Sequence, residues 1–214
     1  MAAAAKSREE AGRTFGEFAS QYIVALAAAA VLLSLFRVEV VRLVASGAFK
    51  SASGLVPIVL ATTVIQGLYY VVANPMLIDR RAIRFLPFIT IAGAVIGLGV
   101  TYALVPHWGI AGAVLATMTA SSVVVLAAMP LSQRSVRMTY DWSRFGLITV
   151  LGAATVVASE VLPQGPGARV IGNAALGAVF VVISVRLGIL RLSVYRQMLV
   201  AAFSKSHPLR LTSA

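Results

Sequence analysis

The run FLPFITIAGAVIGLGVTYALVPHWGIAGAVLATMTASSVVVLAAMPL, residues 85–131, decides the fold. It holds no Lys, Arg, Asp or Glu, and its apolar character breaks only at Pro106, His107, Trp108 and Gly109. Each limb is about as long as the ~20 apolar residues a helix needs to cross ~30 Å of hydrocarbon. Pro106 is expected to end the first limb, Trp108 to sit at an interface, and Gly109 to relieve strain in the reversal. Gly93 and Gly97 lie four apart on the first limb, with Thr101 four further on, and Gly112, Ala116 and Ala120 repeat the spacing on the second. Two small-residue faces joined by a tight turn predict a close helical hairpin.

Outward from this hairpin the same pattern repeats. The chain has 214 residues, 59% hydrophobic and 12% charged, with a mean hydropathy of +0.91. A soluble domain carries about twice that share of charge, so too little polar surface exists here to cover a water-facing globule. Further apolar runs at 18–36, 51–78, 145–162 and 170–190 join those at 85–105 and 110–131. The expectation is an all-α, polytopic membrane helical bundle of about six transmembrane helices. Its membrane domain is 18–190, preceded by a cytoplasmic lead-in at 1–17 and followed by a basic cytoplasmic tail at 191–214. The alternating polar and apolar residues of a membrane barrel are absent.

The net charge of +11 comes from Lys and Arg scattered between apolar runs. No aromatic-rich basic module appears, so no nucleic-acid partner is expected; the charge instead orients the chain. With the N-terminus inside, fourteen of the eighteen basic residues fall on the inner side, and Arg37, Arg42, Lys50 and Arg169 on the outer. Both termini are therefore expected in the cytoplasm. Glu9, Glu10 and Glu17 interrupt the basic lead-in, which argues for a retained first helix over a cleaved signal. Since the chain lacks Cys, single Cys substitutions report sidedness cleanly. An impermeant thiol reagent added outside is expected to label Gln164→Cys and spare Ser135→Cys; the reverse pattern would refute the orientation.

Zero Cys excludes disulfides, thiol catalysis and Cys-bound metals. His107 and His207 have no ligand partner at metal spacing, and no two of the seven acids share a span. Ser121 and Ser122 lack a nearby base. The reading is a non-enzyme without cofactor or metal. The polar residues at and within the membrane are better functional candidates. Arg37, Glu39 and Arg42 follow the first span, either snorkelling outward or lining a cationic entrance for an anionic head group. Gln66 lies near the middle of the second span, as interhelical glue or substrate contact, and Asn74 near its inner end. Pro57 and Pro75 suggest that this span is bent. Glu160 and Arg186 close the fifth and sixth spans without an intramembrane partner evident from the sequence.

Leu104-Val105-Pro106, then Gly109, Gly112-Ala113 and Ala116-Thr117, resembles the late helical hairpin of polysaccharide and O-antigen flippases, within the multidrug/oligosaccharidyl-lipid/polysaccharide exporter superfamily. Phe36-Arg37-Val38-Glu39-Val40-Val41-Arg42-Leu43-Val44, continuing to Gly47 and Ala52, is similar to the family segment in which a helix ends with Glu before a Leu-rich stretch. Phe49 stands where many members carry Tyr, and Asp79-Arg80-Arg81 occupies the place of a short basic connection. The span before the Pro turn lacks the Asn frequent in the family, so no role of that Asn carries over. The likeness covers residues 18–144, and the last two spans look like added C-terminal helices.

The resemblance implies the C-terminal half of a membrane flippase exporting lipid-linked saccharides for cell-surface polysaccharide synthesis. Its place would be the bacterial inner (cytoplasmic) membrane, in contact with membrane lipid. A full member has about twice as many spans, so the chain is expected to be inactive alone and to need the missing N-terminal helices or a partner chain. The alternative is a non-transporting membrane scaffold that associates with glycan-assembly proteins.

Overall fold

A computed structural model describes residues 2–44, 53–135, 141–161 and 166–190. The tail at 191–214 and the family-like positions Gly47, Phe49 and Ala52 lie outside the described residues. Among the described residues seven α-helices follow one another: α1 Ala2–Leu35, α2 Arg37–Val44, α3 Val56–Ile78, α4 Leu86–Trp108, α5 Ile110–Ser135, α6 Trp142–Glu160 and α7 Pro166–Arg186. All but α2 contain a window long and apolar enough to cross a membrane. The protein is an all-α, multi-pass membrane protein.

The limits of the helices follow from local chemistry and correct several expectations. α1 runs unbroken from Ala2 through the lead-in into the first span, whose apolar window is Gly16–Leu35. The segment after it is helical again from Arg37, with Phe36 as the break. Pro57 does not bend α3. It sits in the first turn, where the missing N–H has no intrahelical partner to lose. Only Pro75 lies inside that helix.

Pro106 does not end α4, which continues to Trp108. A proline forfeits the one bond its N–H would make to the carbonyl four residues earlier; it does not by itself stop the chain. The reversal falls to Gly109, at φ 55° and ψ −130°, where a side chain would be strained.

α7 stops at Arg186, four residues short of the expected 190. Gly188 takes φ 66°, its N–H bonds to the carbonyl of Val185 at 3.0 Å, and the Ile189 N–H reaches Ser184 at 3.0 Å. This pair of bonds is the glycine-closed helix end that satisfies the last carbonyls. Ile189 folds back and is buried.

The helices pack in a row, in the spatial order α4, α5, α3, α1, α6, α7, with α7 also reaching α1. One apolar cluster joins Ala19 and Ile23 of α1 to Val71, Val72 and Met76 of α3 and to Val125 and Ala128 of α5. A second joins Val24, Ala27 and Ala28 to Val64, Ile148 and Phe180. The core thus runs along α1 and α3. α4 lies at one edge, packed chiefly on α5, and shows Phe88, Ile91, Val95 and Leu98 outward.

Small residues set the closest approaches. A Cβ on Gly97 would stand 2.9 Å from Ala120 Cβ, and one on Gly93 would strike Val124. One on Gly112 would lie 2.6 Å from the Leu104 carbonyl oxygen. Ala116, between these contacts, is wholly buried.

Candidate functional site

Within α3, six residues are exposed: Val59, Thr63, Gln66, Tyr70, Asn74 and Leu77. Their spacing of three and four places them in one stripe along the helix. Thr62, Val64, Leu68, Val71, Val72 and Met76 are buried on the rest of the helix, which α1 and α5 cover. Gly67 lets α1 close in, since a Cβ there would strike Leu26 and approach the Tyr22 ring to 3.8 Å.

The stripe is polar through its middle. Thr63 satisfies itself by donating to the Val59 carbonyl at 3.1 Å. Tyr70 tilts against Tyr69, the ring centroids 5.8 Å apart. Gln66 and Asn74 are exposed and make no hydrogen bond to any described residue. From Thr63 to Asn74 the stripe spans about 16 Å at 1.5 Å per residue, about half the hydrocarbon thickness. An amide facing hydrocarbon without a partner costs several kcal/mol. This face therefore needs water, a polar ligand or another protein surface. The outer face of α4 is the counter-case, because its exposed residues are mainly apolar and Thr90 donates to its own helix at 2.9 Å.

Among the described residues Gln66 is thus not interhelical glue; it lies on the exposed stripe of α3, away from the buried face that α1 and α5 cover. Asn74 shares its face. Tyr70 completes the stripe and was legible in the sequence, since it lies four residues from each.

The polar group after α1 has a different architecture from the one expected. Arg37 does not snorkel. Its side chain is buried, donating to a carboxylate oxygen of Glu160 and to the Ser34 carbonyl at 3.4 Å. Glu160 therefore has a partner, 123 residues away in sequence. Arg42 lies exposed on α2, apart from this pair, and Glu39 keeps one carboxylate oxygen buried with no hydrogen-bond partner. Of the three, Arg37 is the one that pairs across to another membrane helix.

Asn173 of α7, missed in the sequence, completes this region. Wholly buried, it donates from Nδ2 to the carbonyl of Leu35 at 2.7 Å. That carbonyl belongs to the last residue of α1 and would otherwise lack a donor. The signal was present: Asn173 is the sole amide in an otherwise apolar run. Gly152 and Gly177 bring α6 and α7 against Val31 and Leu32 of α1. The Arg37, Glu160 and Asn173 contacts thus clasp the end of α1 between the last two helices. The chemistry of this group is holding, and the polar stripe of α3 is the surface left open to a ligand or partner.

Among the described residues no three His, Asp or Glu side chains converge as a metal site. No family model, no curated protein and no solved structure matches the chain.

Proposed function

We propose that this chain is one bundle of a two-bundle flippase for lipid-linked saccharides, and that the α3 stripe is part of its transport cavity wall. The observation that carries this reading is Gln66, Tyr70 and Asn74 on one uncovered face of a central membrane helix. Transporters place substrate at the interface of two helical units, where polar groups are wetted by the cavity between them. The resemblance of the α4–α5 hairpin and of the Arg37–Val44 segment to polysaccharide flippases supports the same class. A non-transporting scaffold would cover the stripe with protein rather than water.

Two measurements test this reading. Single Cys at Gln66 and at Asn74, in liposomes, are expected to react with a charged thiol reagent at least ~10-fold faster than Cys at Leu98, because a thiol in hydrocarbon stays protonated and unreactive. Equally slow reaction at all three sites would remove the wet cavity. In a lipid-flipping assay the chain alone is expected to move no lipid-linked saccharide, and to do so once joined by the N-terminal portion of a related flippase. Flipping by the chain alone would overturn the one-bundle reading.

A further inference from the structure

On the side of the bundle where α3 ends and α4 begins, a cleft of about 290 Å³ lies between the connection and the end of α5. Its lining is Asp79, Arg81, Ala82, Phe85, Leu131 and Arg134. Asp79 shapes the connection, accepting from the Arg81 backbone N–H at 2.9 Å through its side chain. That turn carries the Arg81 side chain, while α5 brings Arg134 from 53 residues further along the chain. Both arginines are exposed, and neither guanidinium pairs with a carboxylate among the described residues. Arg80 lies within the turn and Arg84 just after it, so basic charge exceeds the single carboxylate of Asp79.

We propose that this cleft binds the phosphate of an anionic phospholipid from the adjoining leaflet. Two guanidinium groups from separate segments provide forked donors suited to phosphate oxygens. Phe85 and Leu131 supply an apolar wall for the glycerol and the first methylenes of the acyl chains. The cleft opens where charged connections meet the ends of membrane helices, the depth at which lipid head groups lie, and basic pockets between such ends recognise anionic head groups. A free inorganic phosphate would use the arginines but gain nothing from the apolar wall. The site stands apart from the α3 stripe and does not depend on the transport reading.

Native mass spectrometry of the full chain released from detergent tests the assignment, with phosphatidylglycerol, phosphatidylcholine or inorganic phosphate added. Wild-type chain is expected to retain phosphatidylglycerol over phosphatidylcholine, with inorganic phosphate at equal concentration failing to displace it. R134Q is expected to weaken retention about fivefold, and R81Q/R134Q more, each arginine near the surface being worth ~1 kcal/mol. R186Q removes a charge at the end of α7, outside the cleft lining, and is expected to leave retention unchanged. Equal retention of both lipids, displacement by inorganic phosphate, full retention by R81Q/R134Q, or a loss in R186Q equal to that in R134Q would each overturn the proposal. The wild-type lipid comparison holds even if a variant folds poorly.

Discussion

Replacing Gly112 with Ala will destabilise the protein by about 3 kcal/mol, the upper end of the usual cost of overpacking. The new Cβ would meet the Leu104 carbonyl oxygen at 2.6 Å, its carbon at 2.7 Å and the Val105 nitrogen at 3.0 Å. These are backbone atoms, so no rotamer change relieves the clash; the α4–α5 hairpin must open. Gly97→Ala meets only the Ala120 Cβ, at 2.9 Å, and is expected to cost about 1 kcal/mol. Gly99 has nothing within 4 Å of its would-be Cβ, and Gly99→Ala should gain up to ~1 kcal/mol from helix propensity. Thermal unfolding in detergent ranks the three. A Gly112→Ala variant as stable as Gly99→Ala would contradict the packing.

Glu160→Gln is expected to cost about 2 kcal/mol, whereas Arg37→Met costs less, and the double variant recovers part of the loss. The reason is unequal burial: the Arg37 side chain is 6% exposed and that of Glu160 59%. Glu160→Gln leaves the buried guanidinium with neutral acceptors only and no counter-charge from this pair. Removing Arg37 leaves a carboxylate that solvent already reaches. Breaking a fully buried pair costs ~3–5 kcal/mol, and the exposure of Glu160 screens part of that. A double-mutant cycle in urea or by thermal unfolding gives the coupling directly. Equal single costs with no coupling would show that the pair does not hold the end of α1.

The hairpin was the most legible part, because its signals are local. Gly93, Gly97, Gly112 and Ala116 lie close together in sequence, and a spacing of four is enough to put small residues on one face of each limb. The same local reading misplaced the helix end at Pro106. Proline marks a lost hydrogen bond, while the reversal needed the positive φ that only Gly109 supplies at low cost. The stripe of α3 was half legible. Gln66 and Asn74 stood out as polar residues, but their shared face was drawn only once Tyr70 was set between them. The polar cluster after α1 was not legible. Arg37, Glu39 and Arg42 are neighbours in sequence, and the partner of Arg37 lies in another helix.

The sequence by itself determined that this chain crosses a membrane as about six helices, because run length and charge depletion are properties of each segment alone. Tertiary structure decided which helices are neighbours, which charges are buried and which face of α3 stays uncovered. The spans are largely apolar all round, so hydrophobic periodicity says little about which face turns inward. In lipid that choice falls to small-residue contacts and polar pairs. Here they join residues as far apart as Leu35 and Asn173, and such pairings exist only once the helices have packed.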